Sequence, residues 1–250
     1  MRATLKSMVV VVLVGLLIGA CKRTGPQRLH VVYIVDMTAS TIEEARAKAI
    51  DGIQQAFDKR LVRRGDSIAI IPITSDALTE SQGSILRFEI SATREAYDDD
   101  LARLSTEVTD KLQNLQASVA ARPYLYSDII GTVKIAGEEF SSDGRDVQKL
   151  LVVLSDFVED ETQVNFKTSS MVASEKSAKE AAKKVAGSEQ FFKETKVYLG
   201  LLQSTDLKRM PTQRREAVRT FWTEFFKQEG ATSVHICSDG LGQLLKFIAE

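Results

Sequence analysis

Two aspartates in this chain each follow directly on an apolar run. The stretch "VVYIVDMTAST" (residues 31–41) breaks at Asp36, with Thr38 and Ser40 at steps of two after it, and "LLVVLSDF" (residues 150–157) breaks in the same way at Asp156. Continuous apolar runs of this kind read as strands of a parallel sheet, whose ligands collect beyond the carboxyl ends of the strands. Two carboxylates gathered there without a counter-charge repel and raise one another's pKa. A hard divalent cation removes that conflict, and hydroxyl oxygens are suitable further ligands. The helix that starts after Ser40 presents a positive N-terminus, so the carboxylates must supply the attraction for the cation.

The rest of the chain supplies elements able to position these groups. Its 250 residues, 44% hydrophobic and 27% charged, have ordinary globular composition. "LHVVYIV" predicts a strand buried on both faces, and "TIEEARAKAIDGIQQAFDK" places Ile42, Ala45, Ala49, Ile53 and Phe57 at helical spacing. Ser40 and Glu43 form a capping-box pattern at the start of that helix. "RRGDSIAIIPI" predicts a second strand, and the alternation in "ILRFEI" predicts an edge strand with one wet face. Helices are expected over residues 93–120, from about Ser127, over the alanine-rich "SEKSAKEAAKKVAG", and over "REAVRTFWTEFFKQEG" up to Gly230. "VQKLLVVLSD", "KVYLGLL" and "SVHIC" complete the strands, and "LGQLLKFIAE" gives a last helix. The alternation predicts one doubly wound α/β domain over residues 29–250, its sheet mostly parallel with one antiparallel edge strand and helices on both faces.

The first residues have a separate meaning. "MRATLKSM" carries Arg2 and Lys6 without an acid, and "VVVVLVGLLIGA" follows as a short apolar run. That is the pattern of a secretory leader over residues 1–20, too short for a good membrane span. Ile18-Gly19-Ala20-Cys21 resembles the lipobox of bacterial lipoproteins. The resemblance implies cleavage before Cys21, lipidation of its sulfur, and a tether over residues 21–28. More than one acyl chain gives stable anchoring. In enterobacteria-like sorting, Lys22 after the cysteine directs the protein to the outer membrane, so the expected place is the bacterial cell envelope. Cys237, the only other cysteine, is expected to be a buried, inert thiol. The net charge of −1, made slightly more acidic by loss of Arg2 and Lys6, gives no sign of nucleic-acid binding.

Asp36, Thr38 and Ser40 form D-x-T-x-S, which resembles the metal-ion-dependent adhesion site of von Willebrand factor type A domains, usually D-x-S-x-S. "LVRRGDSIAIIPI" resembles the passage into the family's second strand, and "LLVVLSDF" the strand that delivers the second aspartate, here Asp156. "YLYSDIIGTVKIAG" resembles the segment that contributes a threonine, with Ser127 in its place and Thr132 as a weaker candidate. The resemblance spans roughly residues 29–249. It implies a Mg²⁺ site, with Mn²⁺ or Ca²⁺ as alternatives, made by Asp36, Thr38, Ser40, Ser127 and Asp156. It also implies a partner protein whose acidic side chain completes the metal shell. The chain departs from the pattern at Thr38, at Ser127, and at Phe157, where a glycine commonly follows the second aspartate.

Three function classes follow: a metal-dependent protein-binding module, a metal-free envelope scaffold, and a metal-dependent phosphohydrolase. The last lacks the second acid of D-x-D, since Thr38 occupies that place, and no phosphate-binding glycine motif or Ser/His/Asp set is recognisable. The expectation is therefore a binding protein, not an enzyme. Structural readings compete at several points. Ser40 could serve only as a helix cap, "DFVED" as a solvated loop, and Asp98-Asp99-Asp100 as a wet helix face. Arg64-Gly65-Asp66 is expected to be turn chemistry, and His30 and His235 packed structural residues.

Overall fold

The computed structural model describes residues 28–58, 62–121, 124–144, 146–161, 164–238 and 241–250. Six strands, β1 (Arg28–Asp36), β2 (Ser67–Ile73), β3 (Leu86–Glu89), β4 (Val147–Ser155), β5 (Thr195–Leu201) and β6 (Ser233–Cys237), form one sheet in the order β3-β2-β1-β4-β5-β6. All neighbours are parallel except β2 and β3, so the antiparallel edge strand falls at "ILRFEI" as expected. The helices are α1 (Glu43–Asp58), α2 (Arg94–Ala121), α3 (Ile129–Glu139), α4 (Glu175–Val185), α5 (Thr205–Arg209), α6 (Thr212–Gln228) and α7 (Leu244–Ala249). Among the described residues no helix is long and apolar enough to cross a membrane. The leader, Cys21 and the tether up to residue 27 lie outside the described residues, and Arg28 already belongs to β1.

The solid apolar strands are explained by two cores, one on each face of the sheet. Along β1, Val32 and Ile34 join one cluster while Val31, Tyr33 and Val35 join the other, because successive side chains point to opposite faces. The first core takes residues of α3, α4 and α6, and the second takes residues of α1, α2 and α7. Each fully buried Val, Leu or Ile contributes about 1.5–3 kcal/mol, so β1 and β4 are the strands the fold can least do without. Helix α6 buries Phe221, Trp222, Phe225 and Phe226, and Phe166 meets Phe221 edge to face at 4.7 Å. It stops where Gly230 takes φ +90°, and the Ala231 amide reaches back to the Phe226 carbonyl at 2.9 Å.

Several local expectations need correction. β6 is an edge strand and only partly covered, so His235 is exposed and Cys237 half-buried instead of sealed in a core. His235 still lies against Phe247, with ring centroids 5.5 Å apart. His30 is buried as expected, bonded through Nδ1 to Asp143 at 2.8 Å. Asp66 of the Arg-Gly-Asp turn is buried and accepts the amides of Leu29 and Arg63, which leaves it no role as a displayed ligand. Asp98 and Asp99 are exposed and Asp100 half-buried, as a wet helix face requires.

The acidic run is not a solvated loop. Asp156, Glu159 and Asp160 are all buried, and only Glu161 remains half-exposed. Glu159 Oε2 accepts the Ile130 amide at the start of α3 at 2.9 Å, and Asp160 is held by Lys167 and Asn165. Burial raises the Glu159 pKa well above its ordinary value.

Candidate metal centre

Asp36 ends β1 and Asp156 stands one residue beyond β4. The two strands are adjacent and parallel, with Val35 opposite Leu154, so both carboxyl groups leave the sheet at the same rim. Here the chain also switches direction: β1 connects through α1 to β2 on one side, while β4 lies on the other. Such a switch point leaves a crevice at the strand ends.

The five residues singled out in the sequence come together there in one connected network. Thr38 donates to Asp36 Oδ1 through its amide (2.9 Å) and its hydroxyl (2.7 Å). Ser40 Oγ donates to Asp156 Oδ2 at 3.3 Å, and Ser127 Oγ donates to Thr38 Oγ1 at 3.1 Å. Ser127 is brought in because Ala39 donates its amide to the Tyr124 carbonyl, and because the Asp160 amide donates to the carbonyl of Ser127 itself. Thr132 is not part of the site: its hydroxyl bonds back to the Asp128 carbonyl within α3. The Ser40–Glu43 capping pattern is not used either, since the Ser40 hydroxyl faces Thr38 and Asp156.

Thr38 Oγ1 and Ser40 Oγ approach to 3.2 Å. The two hydroxyls are within hydrogen-bond distance of each other, and either oxygen can be the donor. Beside them stand two wholly buried carboxylates. Burial first, and the charge of Asp36 second, raise the Asp156 pKa to about 7, against the lowering effect of bonds from the Val158 amide and the Ser204 hydroxyl. A hard cation suits this oxygen set, because it would relieve the carboxylate repulsion.

Three supporting residues, Ser155, Ser204 and Arg46, escaped the sequence reading, and Phe157 has a role beyond the departure noted there. Ser155 donates to Asp36 Oδ2 at 2.7 Å, and Ser204 caps α5 while touching Asp156. The Ser204 signal was present in "LLQSTD", a hydroxyl just past an apolar strand, which the rule applied to Asp36 would have selected. Arg46 places Nη1 between the carbonyls of Thr38 (2.8 Å) and Thr41 (2.9 Å), pinning the loop that carries the hydroxyls. Phe157 adopts φ +61°, a left-handed conformation that disfavours a side chain. It is held there by its amide on Ser155 Oγ and by Trp222 Nε1 donating to its carbonyl. Phe157 thus keeps a backbone conformation that glycine would adopt freely.

No protein-family model and no curated protein matches the chain. Among solved structures, the pilus adhesin SpaC of Lactobacillus rhamnosus GG is similar at 10% identity and TM-score 0.50, over 91% of this chain and 30% of that one. The conserved hypothetical protein BatB of Bacteroides thetaiotaomicron is similar at 14% identity and TM-score 0.45, over 88% of this chain and 95% of that one. A von Willebrand factor type A structure from Catenulispora acidiphila is similar at 14% identity and TM-score 0.45, over 90% of this chain and 43% of that one. What the chain shares with SpaC at this identity is its fold, a doubly wound α/β domain.

Proposed function

We propose that this chain is a bacterial envelope lipoprotein, anchored through Cys21, whose von Willebrand factor A-like domain binds another protein through a divalent cation. Asp36, Thr38, Ser40, Ser127 and Asp156 would hold the ion, Mg²⁺ first and Mn²⁺ or Ca²⁺ as alternatives. The bound ion supplies a positive centre for an acidic side chain of the partner; the chain's own residues orient it and keep it at the rim. The observation that carries this reading is the convergence of two buried carboxylates and three hydroxyls from three separate segments of chain. Calorimetric titration with Mg²⁺ and with Mn²⁺ tests it: binding heat is expected, and it should vanish in Asp156→Ala. No heat with Mg²⁺, Mn²⁺ or Ca²⁺ would favour the metal-free scaffold. One feature supports that second reading: Asp36 already accepts three hydrogen bonds from Thr38 and Ser155 without a cation.

The surroundings of the site suggest what kind of partner docks. Leu78, Leu125 and Tyr126 are exposed by 73%, 71% and 58%. Leu125 and Tyr126 directly precede Ser127, and Leu78 lies in the turn after β2 whose Ala77 amide is held by Asp128. Apolar side chains displayed around a polar centre mark an interaction surface. The partner's acid is then flanked by apolar residues. A Leu125→Ser/Tyr126→Ser double variant is expected to lower partner recovery in a membrane pull-down at least tenfold while leaving Mg²⁺ titration unchanged. Equal recovery by the variant would reject this collar.

A further inference from the structure

A second concavity lies on the sheet face that packs α6, below the metal rim. Its volume is about 470 Å³, within the roughly 300–1,000 Å³ typical of small-ligand sites. Leu207, Val218, Trp222 and Ile236 form much of its wall, and Ile236 is 38% exposed on the partly covered strand β6. Lys208 and Arg215 stand at the same groove, and among the described residues neither has a carboxylate ion-pair partner. Arg215 donates only to the neighbouring Thr212 hydroxyl in the described network. The one glutamate of the groove, Glu216, is already paired with Arg219 at 3.1 Å. The result is an apolar wall beside two cations that have no ion-pair partner among the described residues, with Asp156 as the other carboxylate of the groove.

We infer that this groove binds a small aliphatic carboxylate, its hydrocarbon against Trp222, Val218 and Ile236 and its head group at Lys208 and Arg215. The apolar wall excludes a highly polar ligand such as a nucleotide, whose hydrogen-bonding groups would lose water without replacement. The two cations favour an anion over a neutral or cationic amphiphile. Asp156 also touches the groove, and its repulsion directs the head group toward the lysine and arginine. The four wall residues and the two cations do not contribute to the cation site proposed at the rim, and Asp156 is the residue common to both.

Trp222 is the only tryptophan of the chain, so its fluorescence reports on the groove directly. The full chain reconstituted in phosphatidylcholine vesicles would be titrated with octanoate, octanol and octylammonium, with empty vesicles subtracting partition. Octanoate should give a saturable change, at least tenfold tighter than octanol, with octylammonium weakest. Lys208→Ala/Arg215→Ala, the first exposed and the second half-buried, should bring octanoate to the octanol level and leave octanol unchanged. Val218→Phe should weaken all binding by filling the groove. Equal affinities for octanoate and octanol, or an unaltered double variant, would overturn the inference. Adding chelator separates it from the metal reading: octanoate binding should persist, and its loss on chelation would assign the carboxylate to the metal centre instead.

Discussion

Asp156→Asn should raise the melting temperature of the metal-free protein at pH 8 and at the same time abolish its response to Mg²⁺. The unfolded carboxyl titrates near 3.8 and the folded one near 7. Between those values the native state holds a proton that the unfolded chain has lost, so stability falls as pH rises from about 4 to about 7 and is level above. At pH 8 the native protein therefore contains a buried charge beside Asp36 that opposes folding. Asparagine removes this charge and keeps the shape, with Oδ1 still able to accept the Val158 amide that Asp156 accepts at 2.9 Å. A gain of about 2 kcal/mol corresponds to roughly 4–8 °C for a domain of this size. The same proton governs metal affinity, since a ligand carboxylate must be ionised. Mg²⁺ affinity in the unmodified protein should fall about tenfold for each pH unit below about 7 and be flat above. Thermal scans at pH 5 and pH 8, with Mg²⁺ and with chelator, measure both effects. An Asp156→Asn variant that melts lower than the parent at pH 8 without metal would refute the electrostatic account of this site.

Asp36→Ala is the opposite case. It should cost about 2–4 kcal/mol even without metal, because it orphans the Thr38 amide, the Thr38 hydroxyl and the Ser155 hydroxyl in a wholly buried setting. It should also eliminate cation binding. Chemical denaturation in the presence of chelator isolates the first effect. The contrast between the two aspartates, one destabilising when charged and the other holding three donors, distinguishes a metal-poised site from a plain helix cap. Similar stability changes in the two variants would remove that distinction.

Much of the fold was legible because burial on both faces leaves a plain mark: the apolar side chains of "LHVVYIV" and "LLVVLS" divide between two cores. The pairing of Asp36 with Asp156 was legible for the same reason, since each ends such a run. Harder to read were groups whose setting depends on distant chain. Nothing local in "DFVED" says that Glu159 is buried against the start of α3, or that Lys167 covers Asp160. Ser40 and Glu43 offered a satisfactory local cap, yet the Ser40 hydroxyl is directed across 116 positions of sequence to Asp156. β6 looked like a core strand by composition but lies at the sheet edge, which only the strand order reveals. In each case a tertiary contact outweighed a local preference.

The most direct measurement is an anomalous difference map from crystals of the protein grown with Mn²⁺. One peak is expected, enclosed by Asp36, Thr38, Ser40, Ser127 and Asp156, with at least one of their oxygens at a direct ligand distance of about 2.0–2.6 Å. A map with no peak among those five side chains, and with the Thr38–Asp36 and Ser155–Asp36 hydrogen bonds unchanged, would contradict a cation-binding rim.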